Sequence, residues 1–380
     1  MKRFMLFVLT MVLSAGMCAQ AFAGGNIKVG AILAVTGGAS FLGGPESKTL
    51  KMLTDEVNAK GGINGHKIQL IIKDSGANPE KAISFVKQLI EEEKVFAIIG
   101  PSTSGETMKI KNICEKAKMI LLSCAAAEKI VNPVARYVFK TPQKDTFAAR
   151  KIFMQMKKMG ISKIGVVVGN TGFGKAGKAQ IEKIAPEYGI KILISEVYDK
   201  KATDLTAVVN KLKGANVKGV INWSIVPAQS IVAKNMRQIG LNVPLFQSHG
   251  FGNINYVKAA GEAAEGIIFP AGRLLVADVL PDSNKQKALL VKYRNDYESK
   301  FKEDVSTFGG HAYDAFMILM RAIKEAGPDK EKVRDTIENM KGFVGTGGVF
   351  NFSAKDHNGL DMDAFEMLTV KKGKFALLGM

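Results

Sequence analysis

The segment from Gly172 to Ala179, GFGKAGKA, has the spacing of a phosphate-binding loop. It follows an apolar run, Ile164–Val168, that is typical of a strand, and it opens a helical pattern. G-x-G-x-x-G in that context predicts a dinucleotide site, and Glu196 follows at about the distance of a ribose-binding acid. The segment also fits G-x-x-x-x-G-K, but Ala179 stands where a magnesium-binding phosphate loop needs Ser or Thr.

The start of the chain argues against a nucleotide site. Lys2-Arg3 precedes an apolar run, Phe4–Leu13, that is too short to span a bilayer, and Ala21-Phe22-Ala23 is a small-x-small cleavage site. We therefore expect residues 1–23 to be a signal peptide cleaved after Ala23, and a periplasmic mature protein, where NAD and ATP are scarce. An uncleaved anchor is the alternative. The glycine-rich segment is then better explained as a tight turn that presents Phe173 to a cleft.

No other enzymatic or metal-binding pattern is visible in the sequence. The histidines are scattered, without HExxH or Cys-x-x-Cys spacing, and no G-x-S-x-G motif is present. We expect no enzyme activity, no cofactor and no metal. His311, Tyr313 and Asp314 fall in an amphipathic helix and are interpreted as packing and surface residues.

The two cysteines beyond the signal peptide are expected to be free thiols. Cys114 lies near the end of a predicted helix, and Cys124 lies at the end of the strand that runs back antiparallel to that helix. About five strand residues separate them by more than about 10 Å. A disulfide tolerates less than about 7 Å between Cα atoms.

The charge of the chain favours anionic partners. The formal net charge is +18, but the basic residues are dispersed, and the densest spots are pairs such as Lys157-Lys158 and Lys371-Lys372. Without basic blocks that alternate with aromatic residues, nucleic acid is not an expected partner.

Short apolar runs alternate with amphipathic runs along two blocks of the chain, 26–141 and 145–270. Strands that are apolar on both faces, joined by helices, indicate parallel sheets covered on both sides. Predicted strands are Ile27–Leu33, Lys67–Lys73, Phe96–Ile99, Met119–Ser123, Lys163–Val168, Lys191–Val197, Gly219–Asn222 and Leu245–Gln247. Predicted helices are Gly44–Ala59, Pro79–Glu92, Gly105–Ala117, Asp145–Met159, Gly174–Glu187, Leu205–Lys213 and Pro227–Ile239.

The fold class we expect is α/β, with two doubly wound parallel-sheet lobes. A mainly helical region, 283–340, and a strand-like tail that includes Glu366–Lys371 follow the two blocks. We expect the chain to cross between the lobes near residues 142, 271 and 350. Lobe 1 would then comprise residues 24–142 plus 272–349, and lobe 2 residues 143–271 plus 350–380. Ligands of such sheets lie beyond the carboxyl ends of the strands, which places the ligand between the lobes.

Several motifs resemble one family in order and spacing over nearly the whole mature chain. They include Asp55–Gly65 (DEVNAKGGING), Ile99–Gly105 (IGPSTSG) and Gly261–Gly266 (GEAAEG). The sequence resembles periplasmic substrate-binding proteins of the leucine/isoleucine/valine-binding type, which serve ABC importers. That resemblance implies a type I periplasmic-binding-protein clamshell with a three-strand hinge. It also implies a monomer that closes on a small carboxylate ligand and docks on the membrane subunits of an ABC permease.

The resemblance implies a set of pocket residues in the first lobe. Ser104 matches the serine that holds the ligand carboxylate, in a loop with Ser102 and Thr103, near the start of a helix that favours anions. Capping of that helix by Ser104 is the alternative, compatible role. Ala125 matches a residue that offers a backbone carbonyl. Ala127 stands where relatives often have threonine.

The second lobe adds the larger departures from the family pattern. Phe173 matches an aromatic residue that covers the ligand, and Leu42, in the first lobe, stands where some relatives have an aromatic residue. Trp223 follows a strand on the cleft side, with core packing as its alternative role. His249 aligns with the acid that pairs with the ligand ammonium in leucine-type binders, and a buried ammonium without a carboxylate is costly.

The pocket therefore leaves two ligand classes open, namely amino acids and aromatic or other organic acids. An exported ligand-binding sensor lobe is the first alternative function; a sensor would normally carry a transmembrane helix after the lobe. A nucleotide-binding enzyme is the second, and a structural or nucleic-acid-binding protein the third.

Overall fold

A computed structural model describes residues 24–379, so the predicted signal peptide at 1–23 lies outside the described residues. Within that range, no helix combines the length and the apolar character needed to cross a membrane. The strands are β1 (Gly24–Leu33), β2 (His66–Asp74), β3 (Ala97–Ile99), β4 (Ile120–Ser123), β5 (Val138–Lys140), β6 (Lys163–Gly169), β7 (Lys191–Tyr198), β8 (Gly219–Trp223), β9 (Leu245–Gln247), β10 (Ile268–Ala271), β11 (Phe343–Val344), β12 (Val349–Phe350), β13 (Glu366–Lys371) and β14 (Lys374–Leu377). The α-helices are α1 (Ser40–Ala59), α2 (Pro79–Glu91), α3 (Ser104–Lys116), α4 (Asp145–Lys158), α5 (Gly172–Ile184), α6 (Thr206–Gly214), α7 (Gln229–Gln238), α8 (Ile254–Ala260), α9 (Lys287–Phe301), α10 (Thr307–Ala326) and α11 (Lys330–Asn339).

The first lobe is built on a parallel sheet with the strand order β2-β1-β3-β4-β5. Its strands are apolar on both faces because helices cover both. Leu50 of α1 and Phe316 of α10 belong to the core on one face. Leu89 of α2 and Ile110 of α3 belong to the core on the other face. This doubly covered sheet is the arrangement that the alternating pattern predicts.

The second lobe has a sheet with the strand order β14-β13-β10-β9-β8-β6-β7. The strands from β6 to β10 are parallel, whereas β13 and β14 form an antiparallel hairpin that joins the sheet beside β10. The predicted α/β fold with two parallel-sheet lobes is confirmed, and each predicted strand is present, with ends that differ by at most three residues.

Within the described residues the chain passes between the two sheets three times. The passages run from β5 to α4, from β10 to the helices that pack on the first lobe, and from β12 to β13. They are tied together by buried hydrogen bonds, since Asn358 Nδ2 donates to the carbonyls of Lys140 (3.2 Å) and Pro142 (2.8 Å). Gln143 Nε2 donates to the carbonyl of Gly347 at 2.8 Å. The lobe boundaries at 142, 271 and 349 stay predictions.

Helix α1 begins at Ser40, four residues before the predicted start at Gly44. The run Gly43-Gly44-Pro45 favours a break, yet it lies inside the helix. The reason is a close contact, because a Cβ on Gly43 would lie 2.2 Å from the carbonyl carbon of Ala34. Gly43 therefore lets the first turns of α1 pass against the end of β1, beside the cleft.

Candidate functional site

A partly open cavity lies between the lobes, at the carboxyl ends of the strands. The empty space within it, which includes open solvent, measures about 320 Å³. Elements of both lobes line it, so the lobes are in contact around it. The lining residues are Leu42, Ser102, Ser104, Cys124, Ala125, Ala126, Pro142, Phe173, Ile225, His249, Gly250, Phe308 and His311.

The loop between β3 and α3 places two serine hydroxyls on the first-lobe wall. Ser102 Oγ accepts the N–H of Ala34 at 2.9 Å and donates to the carboxyl group of Glu46. Ser104 Oγ accepts the N–H of Ala127 at 3.2 Å. With that lone pair engaged, the hydroxyl proton of Ser104 is available to an acceptor in the cavity. The first turn of α3 adds N–H groups that lack partners within the helix, which suits an anion.

Thr103, and not Ser104, caps helix α3. Its Oγ1 accepts the N–H of Glu106 at 3.4 Å and donates to the carboxyl group of Glu106 at 2.6 Å. The helix begins one residue earlier than predicted, which moves Ser104 into its first turn. The alternative capping role for Ser104 is therefore wrong.

Two buried carboxyl groups lie behind this wall. Burial raises the pKa of Glu46 to about 8, although its hydrogen bond with Ser102 acts in the opposite direction. Burial also raises the pKa of Glu106, against the lowering effect of its hydrogen bonds with Ser75 and Thr103. A neutral Glu46 can stand next to the serine loop without repelling an anion there.

Phe173 provides the aromatic wall of the second lobe, and Trp223 lies beneath that wall. The ring centroid of Phe173 lies 5.7 Å from that of Trp223 and 5.3 Å from that of His249. Trp223 is fully buried and is not among the residues that line the cavity. Its alternative role, core packing, fits this position, and the expected ligand contact stays a prediction.

The three glycines of the G-x-G-x-x-G segment are each required by a close contact. A Cβ on Gly174 would lie 2.0 Å from the carbonyl oxygen of Gly169, and one on Gly177 would lie 2.1 Å from Nε1 of Trp223. A Cβ on Gly172 would lie 2.7 Å from the backbone of Gly105 in the other lobe. These contacts explain the three glycines by a tight turn and a closely packed helix start. The motif therefore does not need a dinucleotide to account for it.

A polar pole of the cavity is formed by His249 and His311. Burial lowers the pKa of His249 well below 6.5, and the charge of Lys140 lowers it further. Burial and Lys140 also lower the pKa of His311 to about 3. Both imidazoles are therefore neutral at physiological pH. Nε2 of His249 lies 3.6 Å from Oδ1 of Asp145, a carboxyl group at the start of α4.

The interpretation of 311–314 as packing and surface residues is wrong for two of the three positions. His311 is buried and lines the cavity. Asp314 is buried and accepts the N–H groups of Thr346 (2.6 Å) and Gly347 (2.7 Å), which holds the chain near the third passage between the lobes. The amphipathic pattern of α10 did not reveal this because both faces of the helix are covered.

The cavity brings together most, but not all, of the predicted ligand-binding residues. Thr103 caps α3 and lies on an outer groove. Ala127 is buried in the first-lobe core, where its N–H orients Ser104. The predicted ligand-binding residues that do line the cavity are Leu42, Ser102, Ser104, Ala125, Phe173 and His249.

Sequence reasoning missed lining residues of two kinds. Cys124 and Ala126 flank Ala125 in the loop after β4, so the rule that ligands lie at the carboxyl ends of strands could have found them. Phe308 and His311 come from α10, far along the chain, and only the return of the chain to the first lobe brings them here. Cys114 and Cys124 are both free and buried.

Comparison with known proteins gives a consistent result. Residues 26–374 match the family model described as periplasmic binding protein. The chain is 24% identical to the leucine-, isoleucine-, valine-, threonine- and alanine-binding protein of Pseudomonas aeruginosa, over 85% of each chain.

Solved structures match both lobes. An extracellular ligand-binding receptor from Rhodopseudomonas palustris HaA2 superposes with a TM-score of 0.87 at 25% identity, over 93% of this chain and 99% of that one. A branched-chain amino acid transporter substrate-binding protein from Streptococcus pneumoniae, in complex with isoleucine, superposes with a TM-score of 0.82 at 26% identity. The match covers 92% of this chain and 97% of that one. A solute-binding protein from R. palustris in complex with benzoate superposes with a TM-score of 0.82 at 21% identity, over 93% of this chain and 96% of that one. At that identity the match supports the fold alone.

Proposed function

This chain belongs to the periplasmic binding protein family, as a member of the leucine/isoleucine/valine-binding type, and on that premise we propose that it captures a small carboxylate for an ABC importer. The mature protein, cleaved after Ala23, would work in the periplasm as a monomer. The ligand would be held between the lobes, and the closed form would dock on the permease subunits. No covalent chemistry is required of the site.

The observation that carries the carboxylate proposal is the position of Ser104. Its hydroxyl and the first turn of α3 face a cavity whose other walls are mainly apolar. An anionic head at Ser104 would gain charge-assisted hydrogen bonds. An apolar body would then pack between Phe173 and Phe308.

The residues around the cavity support a carboxylate without an α-ammonium group. No acidic side chain is among the described residues that line the cavity. His249, which replaces the expected acid, is neutral and cannot balance an ammonium charge. An aromatic or other organic acid avoids that cost.

An amino acid is the second candidate, and it has its own support. The relative from P. aeruginosa is named for binding five amino acids, and the receptor from S. pneumoniae was solved with isoleucine. Asp145 lies 3.6 Å from His249, so one carboxyl group is present just behind the lining. The R. palustris protein solved with benzoate shares only the fold with this chain, so it does not distinguish the two candidates.

A thermal-shift screen of residues 24–380 tests the ligand class. The panel would contain aliphatic amino acids, aromatic acids and short-chain acids, each with its uncharged amide, together with NAD and ATP. A ligand that binds only the folded state raises the melting temperature. We expect a shift with carboxylates that is lost with the amides. A shift with NAD or ATP alone would overturn the transport proposal.

The importer role needs a separate experiment. Deletion of the gene should abolish uptake of the radiolabelled ligand found in the screen, and a copy that carries the signal sequence should restore uptake. Unchanged uptake after deletion, with a signalling response lost instead, would favour an exported sensor.

A further inference from the structure

The polar pole of the cavity has buried polar atoms that the protein itself does not satisfy. Nδ1 and Nε2 of His249 lack hydrogen-bond partners, as does Nδ1 of His311. Both oxygens of Asp145 are also without a partner at hydrogen-bonding distance. Such groups are rare in folded proteins because the desolvation of each is left uncompensated. The two histidines line the cavity, so a bound molecule can reach them.

Lys140 sets the electrostatic character of this pole. Its buried Nζ donates to three carbonyl oxygens, those of Ala126 (2.7 Å), Pro142 (3.0 Å) and Gln143 (3.1 Å). Three donors directed at three acceptors identify the charged ammonium form. Burial raises the pKa of Asp145, while the charge of Lys140 opposes that rise.

Neither ring nitrogen of His249 is committed to a protein partner. Nε2 lies 3.6 Å from Asp145 Oδ1, which is beyond hydrogen-bonding distance. A neutral imidazole has one donor and one acceptor nitrogen. A group that both donates and accepts can therefore serve His249 in either tautomer, and that group must be neutral, because Lys140 disfavours positive charge at both histidines.

We propose that the ligand is a hydroxylated carboxylic acid whose hydroxyl group binds His249 and His311. A hydroxyl donates one hydrogen bond and accepts others, so it can serve both imidazoles, and it adds no charge. This inference rests on the proposed function, in which the carboxylate of the same ligand binds at Ser104.

Calorimetric titration of residues 24–380 with matched acids tests the inference. The pairs are benzoate with its three monohydroxy isomers, and 4-methylpentanoate with its 2-hydroxy derivative, and leucine is added as the ammonium analogue. We expect at least one hydroxy acid to bind about 2- to 12-fold more tightly than its parent, since one net hydrogen bond is worth about 0.5–1.5 kcal/mol. Leucine should bind more weakly than the hydroxy acid of the same skeleton.

The outcomes separate the inference from the proposed function. If the parent acids bind and no hydroxy acid binds more tightly, the polar pole is satisfied by water and the inference is overturned, although the carboxylate proposal stands. If leucine binds most tightly, the inference is also overturned. If none of these acids binds, the proposed function fails with it.

Variants assign the effect to the polar pole. His249→Phe keeps an aromatic ring against Phe173 but removes the acceptor, so the ratio of hydroxy-acid to parent affinity should fall to about one. A purely structural role of His249 would instead weaken the binding of both ligands equally and leave the ratio unchanged. His66→Phe, at the start of β2 and outside the cavity, is the matched control and should leave the ratio unchanged. An undiminished ratio in His249→Phe would contradict the assignment.

Discussion

The backbone of Gly172 in the second lobe lies so close to that of Gly105 in the first lobe that a Cβ on Gly172 would be 2.7 Å from the Cα of Gly105. The two helices that begin at the cleft, α3 and α5, thus meet at their first turns. A side chain at residue 172 cannot be accommodated unless the lobes separate. The first glycine of a motif that suggests nucleotide binding therefore serves the closed state of the clamshell.

Gly172→Ala should weaken ligand binding with little effect on the folding of either lobe. The added methyl group clashes only when the lobes are together, and overpacking of this kind costs about 1–3 kcal/mol. We expect affinity to fall by about 5- to 150-fold in a calorimetric titration. Gly214→Ala is the control, because a Cβ there has nothing within 4 Å. Unchanged affinity in Gly172→Ala would mean that closure does not need this contact.

Gly177→Ala should displace Trp223, which lies beneath the aromatic wall formed by Phe173. The new Cβ would lie 2.1 Å from Nε1 of Trp223, and Trp223 supports both Phe173 and His249. We expect a loss of about 1–3 kcal/mol in the free energy of unfolding, measured by denaturant titration. Trp223 is the single tryptophan of the chain, so a changed fluorescence emission maximum would report its displacement directly. A native emission spectrum together with native stability would contradict the contact.

Ser104→Ala should weaken carboxylate binding by about 1.5–3 kcal/mol, the range for hydrogen bonds to charged groups. The variant loses the hydroxyl that faces the cavity and leaves the N–H of Ala127 without its acceptor. Ser195→Ala, which removes a buried hydroxyl without a hydrogen-bond partner from β7, is the matched control. Equal affinities of the Ser104 variant and the wild type would refute the role of Ser104.

The fold was largely predictable because its signals are local. Strands that are apolar on both faces, glycines that end helices and turn motifs in a characteristic order each follow from neighbouring residues. The error at the start of α1 has a tertiary cause, since the contact between Gly43 and Ala34 overrides the breaking tendency of Gly-Gly-Pro.

The cavity was predictable only where its residues follow strands. Ser104 and Phe173 lie in loops that the parallel sheets bring to the cleft. His311 was missed because its contribution depends on the return of α10 to the first lobe. Trp223 was expected on the cleft side, and it lies behind Phe173 without lining the cavity, an arrangement that the sequence does not show.

Glu46 predicts a distinctive dependence of stability on pH. Burial raises its pKa from 4.5 to about 8, so between these values the folded state holds a proton that the unfolded state releases. The free energy of unfolding therefore falls as pH rises from about 4.5 to about 8. It stops falling above the pKa that Glu46 has in the folded state. Each pH unit in that window is worth at most about 1.4 kcal/mol, so the total is a few kcal/mol.

Glu46→Gln isolates this contribution from those of all other groups. Glutamine has the shape of the protonated acid and keeps an acceptor for Ser102, so the variant and the wild type should unfold at similar denaturant concentrations at pH 5. At pH 9 the folded wild type carries either a buried, ionised Glu46 or a protonated Glu46 that would be ionised in the unfolded state. Both cost free energy, and the glutamine of the variant avoids both. The variant should then be more stable by a few kcal/mol. A stability difference that is the same at pH 5 and pH 9 would show that Glu46 is not held in its neutral form behind the serine loop.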